Sequence, residues 1–361
     1  MVHQASKDET SYSSCTSAQP LCHSLGINPM EQQDTQEFWK LLLPQLPQPV
    51  IDTYTGSYED YIIACDGTGR TRRKEIPFVD LSLEVPTAKK DDGLETSETS
   101  LIHSFRSMFQ TPELLSVAEG NGWRPPPAIK TKNHPTNYSE KVDALKGQLL
   151  HRQGLPSLLQ LHLKRFQYDW QTHTITKLNH RYTFPEEIDL KEIIATKNDT
   201  IIMPYQESQS STQYVLQSVI VHAGPFGSGH YYSYCKPMLT LEEKEEEVTN
   251  TSSKSKTNKN TKRSQWYRFD DEIVTPVTIE EVLADAYGGI CSTSTDTGWN
   301  EKHLRNTARR SRLFRWFTST AMPFSSTKYT YGYGGRDSCA YVLQYVRKRD
   351  IPLLYKGNKM E

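Results

Sequence analysis

Gly229-His230-Tyr231-Tyr232-Ser233-Tyr234 and, further along, Trp266-Tyr267-Arg268-Phe269-Asp270-Asp271 carry the most structural information in the chain. The first places a histidine where a turn carrying Gly224, Gly227 and Gly229 enters an aromatic strand. The second ends an aromatic strand on a carboxylate. An imidazole and a carboxylate arranged this way are the base and the orienter of a thiol acyl-transfer centre. There a thiolate attacks the carbonyl, the imidazole takes and returns the proton, and a third group fixes the imidazole tautomer. His230 takes the imidazole role and Asp270 the orienting role. Taken singly, His230 also reads as a surface histidine at a strand start, and Asp270-Asp271 as a turn. The glycines lack side chains, so the loop can swing and a substrate backbone can pass close by.

Outward from these stretches, strand patterns recur. Leu155 to Phe166, Tyr214 to Val221, Tyr231 to Cys235 and Cys339 to Val346 are rich in aromatic and β-branched residues. Strands this far apart in sequence need long connections, which predicts an α+β domain with an antiparallel sheet. Residues 31–46 read as a helix with Phe38, Leu41 and Leu42 on one face, ended by Pro44 and Pro47. From Ile51 to Val85 the pattern reads as short strands, with a turn at Asp66-Gly67-Thr68-Gly69 and alternation from Phe78 to Leu83. Leu101 to Phe109 reads as a short helix, residues 87–100 as a solvated loop and 120–137 as an irregular insertion. Residues 240–263 run from acidic to basic with almost no apolar side chains, which predicts disorder. Residues 291–329 carry five arginines between Tyr287-Gly288-Gly289 and Tyr333-Gly334-Gly335, and read as an insertion between neighbouring points.

Composition narrows the function classes. A net charge of −1 gives no global field for nucleic acid or an anionic membrane. The six cysteines include no C-x-x-C pair, which argues against structural zinc and against a compact disulfide framework. Neither a signal-peptide pattern nor a bilayer-length apolar run is present, so the expected location is cytoplasm or nucleus. No cofactor is called for, and the sequence leaves oligomeric state unknown.

The motifs carry a family resemblance as an ordered set. Gln32-Gln33-Asp34-Thr35-Gln36-Glu37-Phe38 resembles the Q-Q-D-x-x-E-F segment of ubiquitin-specific proteases. Leu155-Pro156 with Leu161-His162-Leu163-Lys164-Arg165-Phe166 resembles their L-P…L-H-L-K-R-F strand. His222-Ala223-Gly224 to Tyr234 resembles their histidine box, Trp266 to Asp271 their acidic box, and Ala340 to Tyr345 their closing strand. The resemblance runs from about residue 25 to 347. It implies a papain-like fold of thumb, palm and fingers that cleaves the isopeptide bond after the ubiquitin tail Leu-Arg-Leu-Arg-Gly-Gly. The implied partners are ubiquitin and ubiquitinated proteins. It implies His230 as general base and acid, Asp270 as orienter, and Asp271 as part of the polar surroundings. Asp34 and Glu37 match acidic positions that meet the tail arginines through charge-assisted pairs. One domain over 1–361 is expected, with 1–47 from the thumb and 48–236 plus 265–347 forming fingers and palm.

The chain departs from that pattern in two places. The G-L-x-N-x-G-N-T-C box, bearing the nucleophile and an oxyanion-hole Asn, has no counterpart, and Gln32 stands near the first residue. Cys15 and Cys22 lack that context, so the nucleophile is unassigned and the domain reads as N-terminally truncated. The finger cysteine pairs are also missing, which implies short, metal-free fingers. Cys65, Cys235 and Cys339 are expected in or near the core. Two functions follow from this reading, a thiol-dependent deubiquitinase without its nucleophile and a catalytically inactive ubiquitin-binding module.

Overall fold

In a computed structural model, the structure describes residues 17–28, 33–86, 99–126, 140–194, 212–227, 229–237, 265–289 and 338–355. The expectations for 87–98, 127–139, 240–263 and 291–329, for Cys15, Cys291 and Gln32, and for Tyr333-Gly334-Gly335 lie outside the described residues.

Three helices open the described chain: α1 (Gln19–Leu25), α2 (Thr35–Leu42) and α3 (Gln48–Tyr54). The helix expected over 31–46 is shorter because Asp34 is its N-cap and Leu43–Gln45 tightens to a 3-10 turn. The strand pattern read from Ile51 fails at its start. Val50, Ile51 and Thr53 favour strand, but Pro49 occupies the first helical turn, where proline is preorganised, and the segment is helical. Strands β1 (Gly56–Ala64), β2 (Thr71–Phe78) and β3 (Leu81–Glu84) follow, then α4 (Leu101–Gln110). Ser100 caps α4 by accepting from the His103 amide. Leu101, Ser104, Phe105 and Phe109 form its buried stripe.

The remaining elements are β4 (Glu113–Leu115), β5 (Ala144–Leu150), β6 (Leu158–Lys164), β7 (Phe166–Asp169), β8 (Thr174–Lys177) and β9 (Glu187–Asp189). After them come β10 (Gln213–Ala223), β11 (His230–Cys235), β12 (Trp266–Asp270), β13 (Ile273–Val277), α5 (Ile279–Ala286), β14 (Ser338–Arg347) and α6 (Ile351–Tyr355). A four-stranded sheet runs β2-β1-β5-β4. An eight-stranded sheet runs β13-β12-β11-β10-β14-β6-β3, with β9 beside β10. The sheets are antiparallel, as expected, except where β3 joins β6 in parallel.

The larger sheet builds the core. β14 sits between β10 and β6, and all its residues except Gln344 are buried. That is why Ala340 to Tyr345 reads as a near-continuous apolar run. Arg165 is fully buried just past β6 and donates to the Ala340, Leu178 and His180 carbonyls, with its guanidinium over the Tyr182 ring. Nε and Nη1 make those bonds while Nη2 is buried without a hydrogen-bond partner, so the carbonyls offset part of the cost of burying this cation. α5 closes over the sheet. Thr278 and Glu281 form a capping box, and Val282, Asp285 and Ala286 point inward.

Cys339 is buried and Cys235 half-buried, but Cys65 is exposed. Cys65 falls just past the end of β1, where Asp66 to Gly69 turns the chain toward β2, so it escapes the sheet that covers its neighbours.

Candidate active site

β11 and β12 pair in register, with Ser233 opposite Phe269 and Tyr234 opposite Arg268. Side chains alternate along a strand, so even-numbered residues of both strands share one face. His230 and Asp270 meet at the end of that face. His230 Nε2 lies 2.6 Å from Asp270 Oδ1, and both side chains are roughly a third exposed. With Nε2 as donor to the carboxylate, Nδ1 carries the lone pair that accepts a proton. Arg268 Nη2 lies 2.8 Å from the other oxygen, Oδ2, and its guanidinium sits over the Tyr232 ring.

Asp271 occupies the two-residue connection from β12 to β13. Its φ is +50°, a left-handed conformation that aspartate tolerates better than most residues. One atom each from His230, Asp270 and Asp271 lies within 4.8 Å of the others. Both Asp270 oxygens are engaged, by His230 and Arg268, an arrangement that can hold and pass a proton.

Below this face lies a second carboxylate, Asp285 of α5. It accepts from Tyr232 and Tyr234 of β11 and from Ser338 of β14. Burial, and then the Asp285 charge, push the Tyr232 phenol far above its ordinary value. The sequence IEEVLADA gives Asp285 no distinction from a solvated helix carboxylate. Its buried position at i+3 from Val282 was the available signal.

The odd face of β11 meets α2 at Asp34. Asp34 Oδ1 accepts the Gln36 and Glu37 amides at 2.8 and 3.2 Å. Oδ2 accepts the Tyr231 and Tyr341 hydroxyls at 3.1 and 2.7 Å. Burial pushes the Asp34 carboxyl up. The bonds from Tyr341, the Glu37 and Gln36 amides and Tyr231 outweigh that and hold it below the usual carboxylate range. Asp34 was expected to meet an incoming arginine, yet each of its oxygens already takes two hydrogen bonds from the fold. Glu37, one turn along, keeps its side chain at the surface.

His222, opposite Tyr231 on β10, is buried among the Phe166, Tyr231 and Tyr341 rings. Burial first, then the Lys177 ammonium, lowers its imidazole to about 4, so it is neutral near pH 7. Lys177 donates to the His222 and Gly224 carbonyls and ties the glycine turn to β8. Gly224 and Gly227 have positive φ. Gly229 is needed for another reason, since a methyl there would collide with the His222 ring.

The family described as ubiquitin carboxyl-terminal hydrolase matches residues 4–295. The chain is 31 % identical over 281 residues to Ubiquitin carboxyl-terminal hydrolase 15 of Schizosaccharomyces pombe, covering 74 % of this chain and 20 % of that protein. It is 28 % identical over 329 residues to Ubiquitin C-terminal hydrolase 12 of Arabidopsis thaliana, covering 88 % and 22 %. It thus spans about a fifth of the length of these curated relatives. A solved SAGA DUB module bound to monoubiquitin covers 91 % of this chain and 51 % of its own, at a TM-score of 0.49 and 21 % identity. By the family match over most of its length, this chain belongs to the ubiquitin carboxyl-terminal hydrolases, the thiol proteases of deubiquitination.

Proposed function

We propose that this domain serves thiol-dependent hydrolysis at the C-terminal glycine of ubiquitin, and that the 361 residues alone bind ubiquitin without cleaving it. The observation that carries the reading is the 2.6 Å contact of His230 Nε2 with Asp270 on adjacent strands of a family member. In the reaction, His230 Nδ1 takes the thiol proton as sulfur attacks the isopeptide carbonyl. His230 then returns that proton to the departing lysine amine, and water hydrolyses the thioester by the reverse transfers. Asp270 holds the tautomer. Glu37 is the carboxylate for a tail arginine, and Asp34 anchors the helix that presents it. The proposed organisation assigns 1–47 to the thumb, the four-stranded sheet to the fingers and the eight-stranded sheet to the palm.

The non-cleaving half rests on the cysteines. Cys339 is fully buried, Cys65 lies in the finger turn, and Cys235 is five residues from His230 along β11, about 16 Å at strand rise. None of the six has the Asn-Thr-Cys context.

The test uses the purified chain with ubiquitin, a ubiquitin–fluorophore substrate and an electrophilic ubiquitin probe. Saturable ubiquitin binding, no fluorophore release and no covalent adduct are expected. Fusing a family-type Asn-Thr-Cys segment should restore release, and His230→Ala should then lower it by at least about a hundredfold. Absence of ubiquitin binding overturns the whole reading. Cleavage abolished by Cys15→Ser or Cys22→Ser overturns its second half.

A further inference from the structure

We propose that Arg268 is a positioning residue for the His230–Asp270 pair, fixing the plane of the Asp270 carboxylate so that one oxygen stays on His230 Nε2. The inference rests on the acid–base reading of that pair given above. Arg268 and Asp270 are two residues apart on β12 and emerge on the same face. Asp270 Oδ1 takes His230 at 2.6 Å while Oδ2 takes Arg268 Nη2 at 2.8 Å. A carboxylate turns about a broad, two-fold torsion. Held by one imidazole alone, it can swing away or exchange oxygens. With its second oxygen on a guanidinium, either motion breaks a charge-assisted hydrogen bond.

The guanidinium is itself held in place. Its Cζ lies 4.1 Å from the Tyr232 ring centroid, a cation–π geometry, and the side chain is only 12 % exposed. An exposed arginine would lose most of its hold on Asp270 to solvent and to its own freedom. Tyr232 in turn donates to Asp285, which also takes Tyr234 and Ser338. The orientation of a partly exposed carboxylate is thereby referred, through Arg268 and Tyr232, to a carboxylate fixed in the core. A purely structural Arg268 would change the melting temperature and leave the His230 tautomer alone, which separates the two roles.

The experiment is nitrogen–proton NMR of the full chain labelled with ¹⁵N-histidine, with the His230 signal identified by its loss in His230→Gln. The unsubstituted chain is expected to show His230 as the Nε2–H tautomer with a slowly exchanging proton. Arg268→Met should lower the ratio of Nε2–H to Nδ1–H forms at least twofold and speed that exchange. Arg268→Lys should recover at least half of the lost ratio. An unchanged ratio in folded Arg268→Met, or no recovery in Arg268→Lys, overturns the proposal. Should Arg268→Met fail to fold, Arg268→Gln is judged by the same ratio. The measurement needs neither ubiquitin nor a thiol, so failure of ubiquitin binding would defeat the proposed function and leave this result standing.

Discussion

On the odd face of β11, Tyr231 runs to Asp34, Tyr341 and His222. On the even face, His230, Tyr232 and Tyr234 run to Asp270, Arg268 and Asp285. The ingredients are nearly the same, with carboxylates, tyrosine hydroxyls and one histidine on each side. On the odd face every carboxylate oxygen is spent on the fold, and the histidine is buried and held neutral. On the even face the carboxylate bonding is graded, from a core Asp285 saturated by hydroxyls to a surface Asp270 shared between a cation and an imidazole. What separates an anchoring carboxylate from a working one is whether its partner can itself exchange a proton with a substrate.

The largest effect is expected at Asp285→Ala. It removes the carboxylate that the Tyr232, Tyr234 and Ser338 hydroxyls share in the core, and should cost about 4 kcal/mol in denaturant unfolding. A loss below about 1 kcal/mol would mean that the even face is not anchored there. Next comes Asp34→Ala, which removes a helix cap and strands two tyrosine hydroxyls, for about 3 kcal/mol. If Asp34→Ala instead unfolds at the wild-type midpoint and only weakens ubiquitin binding, Asp34 belongs with the ligand and the two faces are not different in kind.

A pH titration sharpens the histidine half. The His222 pKa is near 6.5 when unfolded and about 4 in the fold, so the folded state binds fewer protons between those values. The stability this confers is complete above pH 6.5 and is lost as pH falls toward 4. His162 and His180, both lowered by burial, share that direction. His222→Phe should therefore lose less stability than wild type across the window, by on the order of 2 kcal/mol. Parallel curves would show that His222 is not held neutral. The smallest effect is expected at Trp170, which is 80 % exposed on the β7–β8 hairpin and outside both networks. Trp170→Ala should move unfolding stability by less than about 0.5 kcal/mol.

Much of the eight-stranded sheet was legible because its strands carry near-continuous β-branched and aromatic runs, and α4 because its stripe keeps helical spacing. The candidate pair was legible because glycine before His230 and an aromatic strand before Asp270 mark strand ends. What escaped depends on long-range contacts. Asp34 with Glu37 three residues on is a helix-start pattern readable locally, yet its tyrosine partners stand 197 and 307 residues away. Arg268 lay in plain view two residues before Asp270, but which side of the carboxylate it holds is settled only by Tyr232 from the next strand. α3 differs from the strand pattern read from Ile51 because Pro49 in its first turn favours helix over the β-branched Val50, Ile51 and Thr53.

The place of β14 has a consequence for how the molecule is made. It is the last of the described strands and a central one in the sheet, with β10 on one side and β6 on the other. Until residue 347 has left the ribosome, β6 and β10 each present an open edge, and Arg165 lacks the Ala340 carbonyl. The nascent eight-stranded sheet is therefore split down its middle, with the exposed strand edges that invite pairing between chains. Assembly by such non-local pairing is slow, so the half-made domain is a natural client for chaperones during synthesis.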